Sequence, residues 1–165
     1  MTDNEKRWRV SLHESGHAVA ARHLLGDKHI LALLKPSGGG VALCGNGGCD
    51  SIADAIMLHS GGMAEGLRFV YSPPELPEST RPQRAEARAT GARLAEKNEQ
   101  RNDEEESDWD KIRAWFKTLL PGEQDALDEQ IDAGTLNFVR LHADEIVEVA
   151  WRIFCDGYTI LDHEQ

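Results

Sequence analysis

Three observations predict a mainly α-helical α+β fold with a small β-sheet and a helical bundle toward the C-terminus. Apolar residues recur every three to four positions through most of the 165-residue chain, one pair of short apolar runs flanks a glycine cluster, and cap residues or glycines bound the helical stretches. The length fits one domain, 1–165, with an insertion at 71–106, and is short for an added ATPase module.

Residues 4–25 read as the first helix, with Asp3 or Asn4 as N-cap, Glu5 in the first turn, Arg22 and His23 near the end and Gly26 at the stop. Val10, His13, His17, Ala20, Ala21 and Leu24 form a stripe of helical period that faces inward. Within it, His13-Glu14-Ser15-Gly16-His17 has the form H-E-x-x-H. Helical residues four apart lie one above the other, so both imidazoles reach one metal ion, while Glu14 is turned about 100° aside. Zinc-dependent peptidases use this placement, with the glutamate as general base toward a water on the metal and the metal as Lewis acid. Seven histidines and many glutamates also produce such a pattern by chance. The inward stripe favours a metal, because two buried histidines without a partner are costly and a shared ion satisfies both.

Residues 29–35 form an apolar run closed by Pro36-Ser37-Gly38-Gly39-Gly40, and 41–44 follow, which predicts two strands joined by a glycine-rich turn. An edge strand beside the metal helix offers strand addition to an extended substrate. No Lys-Ser or Lys-Thr follows the glycines, so they do not form a phosphate loop. Cys44 and Cys49 stand further apart than most zinc pairs and have no second pair nearby, so both are expected to be free structural thiols, with Cys155 in the core.

Asp50 or Ser51 is expected to cap a helix to about residue 69, with Ile52, Ile56, His59, Met63 and Leu67 on its inner face. Ser60, Gly61, Gly62 and Ala64 are small. Glycine inside a helix costs about 1 kcal/mol relative to alanine, so the pair implies that another helix approaches closely. His59 is expected at the core or its rim. Residues 71–82, with four prolines, form a loop, 84–100 a charged and largely solvated helix, and 102–106 an exposed acidic run. A further helix starts near Ser107 or Asp108 and carries Trp109, Ile112, Trp115, Phe116 and Leu119 before Pro121-Gly122. Another spans 123–133. Thr135 caps a last one through Ile146, Val149, Ala150, Ile153 and Phe154 to Gly157.

A net charge of −11 and a pI near 5.0 exclude nucleic acid and anionic membrane as main partners, since both require a basic face. Residues 1–9 are too polar for a secretory signal, and no apolar run approaches the roughly 20 residues of a membrane span. Three cysteines fit reduced thiols, so the expected compartment is the cytoplasm.

His13-Glu14-Ser15-Gly16-His17-Ala18-Val19-Ala20 resembles the His-Glu-Ala-Gly-His-Ala segment in the peptidase domain of FtsH-type ATP-dependent zinc proteases. The run 29–44 is similar to that family's strand pair, and Ser60-Gly61-Gly62-Met63-Ala64-Glu65-Gly66-Leu67 to its Gly-Gly-Arg-x-Ala-Glu-Glu-Leu helix. Ser107-Asp108-Trp109, followed by Ile112, resembles the later Asn-Asp-Leu segment whose aspartate completes the zinc site, and the final helix resembles the family's last one. Met63 stands where the family has arginine and Gly66 where it has a second glutamate, and the stretch from Glu65 to Asp108 is far longer than in FtsH.

A catalytic zinc keeps three protein ligands and an open position. Beside His13 and His17 the candidates are Asp108, Glu65 and Asp110. The resemblance favours Asp108, thermolysin-like peptidases supply a downstream glutamate as Glu65 would be, and Asp108 also reads as an ordinary helix N-cap. The expected function is a zinc-dependent metallopeptidase acting on peptides or unfolded proteins with Glu14 as general base, without the ATP-driven unfolding of FtsH. The alternatives are a regulatory module that keeps the metal but not turnover, and a helical interaction protein without metal. The 71–106 insertion is the expected seat of a lid or a separate protein partner, against a passive solvated loop.

Overall fold

A computed structural model describes residues 1–45, 47–99 and 107–162. Helix α1 (Asp3–Ala20) starts one residue before its expected start, and its cap is Thr2 rather than Asp3 or Asn4. The Thr2 hydroxyl accepts the Glu5 N–H at 3.2 Å, and the Glu5 carboxylate accepts the Thr2 N–H at 2.6 Å. This reciprocal pair satisfies two donors that Asp3 or Asn4 would have left to one side chain. The helix continues through a wider π turn, Ala21–Leu25, and stops at Gly26, whose φ of 67° suits a residue without Cβ. The wider turn carries Leu24 out of the stripe and into partial exposure. The rest of α1 is also less one-sided than its periodicity implied, since Leu12, Glu14 to Ala21 and Ser11 are all buried.

Its neighbours account for this burial. Strands β1 (His29–Leu34) and β2 (Gly40–Leu43) form the expected antiparallel pair, with Leu33 opposite Val41. A third strand, β3 (Tyr158–Asp162), was not anticipated. It pairs with the other edge of β1, placing His29 opposite Asp162 and giving the order β2-β1-β3. By strand alternation Ile30, Ala32, Thr159 and Leu161 share one face, and its apolar members join Trp8 and Leu12 in the core.

Helix α2 (Ile52–Ala64) is capped by Ser51, whose hydroxyl accepts the Asp54 N–H at 3.1 Å, and runs into a 3₁₀ segment, Glu65–Phe69. Its buried residues are Asp54, Ala55, Met57, Leu58, Ser60, Gly61 and Ala64. The expected inner stripe of Ile52, Ile56, His59, Met63 and Leu67 is instead a half-buried flank. The small residues decide which face turns inward, because α1 presses against them. A Cβ on Gly16 would lie 2.5 Å from the Ser60 carbonyl oxygen. Gly62, by contrast, faces open space.

Helix α3 (Arg81–Glu99) begins three residues before its expected start. It is not merely solvated, since Ala95 is buried and a Cβ on Gly91 would lie 3.2 Å from the Tyr158 ring. The acidic run at 102–106 lies outside the described residues. Helix α4 (Asp108–Phe116) follows Ser107.

Pro121, expected to break the chain, occupies the first turn of α5 (Pro121–Leu141), where its missing N–H costs nothing. This helix passes through Gly134 and Thr135 without a break. Thr135 is buried and its hydroxyl donates to the Ile131 carbonyl, so it is no cap, and Gly134 leaves room for the Ile56 side chain. The break falls at His142, and α6 (Ala143–Asp156) then carries Ile146, Val149, Ala150, Ile153 and Phe154 into the core before a left-handed Gly157. Cys155 is half-buried on α6 rather than in the core. No helix among the described residues is long and apolar enough to cross a membrane.

Candidate metal centre

His13 and His17 lie one turn apart on α1, and both present Nε2 to the same point. These two atoms are 3.0 Å apart. The Oδ2 of Asp108 closes a triangle, 3.2 Å from His17 Nε2 and 3.7 Å from His13 Nε2. Nitrogen and oxygen ligands held about 2.0–2.1 Å from a tetrahedral ion stand about 3.3–3.4 Å from one another, so the triangle has the size of one face of such a coordination shell.

The opposite ring nitrogens are engaged. His17 Nδ1 is 2.9 Å from the Met57 carbonyl oxygen. A carbonyl only accepts, so this nitrogen carries a proton, and Nε2 is the ring atom left to face an ion. His13 Nδ1 is 2.8 Å from Glu65 Oε1, which favours the same tautomer. Two lone pairs 3.0 Å apart repel unless a positive charge lies between them.

The acid–base behaviour agrees with that demand. Burial disfavours charge on His13, but Asp108, Glu14 and Glu65 outweigh it and raise the His13 pKa to about 9. Burial likewise pushes the Asp108 carboxyl up, yet the neighbouring His13 and His17 rings hold it well below the usual carboxylate range.

Local folding explains why Asp108 is available. Ser107 is the cap of α4, its hydroxyl accepting the Asp110 N–H at 3.2 Å and donating to the Asp110 carboxylate at 2.7 Å. Asp108 therefore sits in the first turn with its side chain free of capping duty and directed to the histidines. Asp110 is held by Ser107 and lies 3.9 Å from Arg113, away from the triangle. Glu65 also stays outside it. Its carboxylate braces His13 from the other ring nitrogen and faces Arg9 at 3.5 Å and Arg68 at 3.7 Å.

The chain matches no family model, no curated protein and no solved structure.

His13, His17 and Asp108 together form a candidate metal-binding group. Glu14 is buried on the side of α1 that meets β2, where a Cβ on Gly40 would lie 2.5 Å from its Cγ and 2.7 Å from its Oε1. A small cavity beside the triangle, about 60 Å³, is lined by His17, Cys44, Met57, Leu58, Asp108 and Lys111 among others. Cys44 and Cys49 are free thiols. Burial and then the nearby Asp27 charge push the Cys44 thiol up to about 12. His59 is a rim residue, 3.2 Å from Asp132 and edge-on to Trp109.

Sequence reasoning missed the Met57 carbonyl, Gly40 and Lys111. The carbonyl belongs to a backbone whose side chain carries no relevant signal. Gly40 was visible only as one of three turn glycines, whereas the small residues of 60–64 did signal the close helix contact that encloses His17.

Proposed function

We propose that this chain is a zinc-dependent metallopeptidase, similar in its chemistry to the FtsH peptidase domain, that cleaves peptides or unfolded proteins. The observation that carries the reading is the pair of Nε2 atoms 3.0 Å apart with Asp108 at the third vertex and Glu14 buried alongside. Borderline ions such as zinc suit two imidazoles and one carboxylate, and a bound zinc would polarise a peptide carbonyl and make a water acidic.

The protein's own groups supply the remainder. His13, His17 and Asp108 would hold the ion, with Met57 and Glu65 fixing the ring orientations. Glu14 would accept the proton of the attacking water on its carboxylate and pass it to the leaving amine. Strand β2 is an edge of the sheet and packs beside α1, so an extended peptide can pair with it.

The test is cleavage of an unfolded fluorescent reporter by zinc-loaded protein, with a chelator control and with Glu14→Gln. The expected result is cleavage that the chelator abolishes and zinc restores, absent in a variant that still binds zinc. Full activity in Glu14→Gln, or cleavage resistant to the chelator, would overturn the mechanism. Zinc binding with no cleavage of any peptide would favour a regulatory module.

A further inference from the structure

A second convergence of ligating side chains lies at the end of α1, six residues past His17. His23 Nε2 is 2.8 Å from Glu145 Oε2, and His142 Nδ1 is 3.5 Å from the same oxygen. One ligand atom from each of the three residues fits within 4.8 Å. The residues come from separate elements, namely the π turn, the break between α5 and α6, and the first turn of α6.

Two features set this cluster apart from a surface ion pair. His142 is the N-cap residue of α6 but makes no side-chain cap hydrogen bond, at a position where serine or aspartate is preferred. Its ring instead packs against both Phe138 and His23, with centroids 4.4 and 4.2 Å away, and those two rings also approach each other at 6.2 Å. This ring cluster holds both imidazoles in place with their nitrogens toward one carboxylate oxygen, while Arg22 lies 3.8 Å from the other oxygen. All three side chains are partly exposed, which leaves an approach for an ion and room for water as further ligands.

We propose that His23, His142 and Glu145 form a second, structural site for a divalent transition ion, which ties the end of α1 to the α5–α6 corner. Two imidazoles select zinc, nickel or copper over calcium or magnesium, which prefer oxygen ligands. The site stands independently of the peptidase reading.

The experiment measures bound zinc per chain and the zinc-induced rise in melting temperature for wild type, His13→Ala/His17→Ala, His23→Ala/His142→Ala, the variant combining all four substitutions, and Glu145→Gln, with circular dichroism confirming the fold. Two ions are expected in wild type and one in each double variant. Glu145→Gln should weaken the second ion by at least about tenfold. A zinc-dependent melting shift that persists in His13→Ala/His17→Ala and disappears when His23 and His142 are also replaced is the specific signature. The proposal is overturned if His23→Ala/His142→Ala binds as much zinc as wild type, or if the second ion binds more weakly than about 0.1 mM, as an adventitious surface ion would. Failure of the first site has a different signature, a single ion lost only with His23 and His142.

Discussion

Gly61 and His17 are packed so closely that a Cβ on Gly61 would fall inside the space of the imidazole ring. Gly61→Ala should therefore displace His17 from its bond to the Met57 carbonyl. Alanine favours a helix by about 1 kcal/mol, so helical content should survive while overpacking costs about 1–3 kcal/mol. Zinc affinity is expected to fall at least about tenfold, read by competition with a chromophoric chelator. Unchanged affinity would mean that the ring position is not what binds the ion.

The ligands and their braces should separate by magnitude. His13→Ala, His17→Ala and Asp108→Ala remove a vertex of the triangle and should abolish tight zinc binding at this site. Glu65→Gln leaves the triangle intact but weakens the hold on His13 Nδ1, so a loss of about 10–100-fold is expected. Asp110→Ala should leave zinc affinity unaltered, since that carboxylate is turned to Ser107. Titrations showing Glu65→Gln as damaging as Asp108→Ala would move Glu65 into the ligand set.

Gly40→Ala probes the proposed general base, Glu14, without touching His13, His17 or Asp108. The added methyl would press on Glu14 Cγ from the strand side. Zinc content should stay at the wild-type level while reporter cleavage drops at least about tenfold, within the range general-base catalysis contributes. A variant with normal turnover would show that Glu14 needs no fixed position.

The pH dependence has opposite signs with and without metal. In metal-free protein the His13 pKa is raised from 6.5 to about 9, so its charged form stabilises the fold fully below pH 6.5 and that contribution is lost as pH rises through 9. The depressed Asp108 carboxyl contributes above its unfolded value of 3.8 and is lost as pH falls through its folded pKa. Metal-free protein should thus gain most from this site between about pH 4 and 6.5. Zinc replaces the His13 proton, so loading at pH 7 should release about one proton per chain, measurable by calorimetry in buffers of different ionisation enthalpy, and zinc-bound stability should rise with pH. Zinc binding without proton release would contradict the raised pKa.

Much of the fold and the site was legible in residue order because short-range rules governed it. The four-residue spacing of His13 and His17, the Ser107 and Ser51 caps and the glycine turn before Val41 all act over a few positions. What was illegible depended on distant partners. Gly134 and Thr135 look like a stop and a start, yet Ile56 fills the space beside the glycine and the threonine bonds back to Ile131. Strand β3 looks like a short tail after Gly157, and only the open edge of β1 makes it a strand. Asp108 is favoured as a ligand by resemblance but also reads as a helix cap, and the structure gives the capping bond to Ser107 instead.

That pairing of β1 with β3 also bears on the order of assembly. The contact between His29 and Asp162 spans most of the chain, so β1 has only one neighbour until residues 158–162 have left the ribosome. Until then one edge of β1 remains exposed to other chains, and the helix bearing His13 and His17 rests on an unfinished sheet. Strand β3, made long after α1, thus acts as the latch on the helix that carries the two histidines.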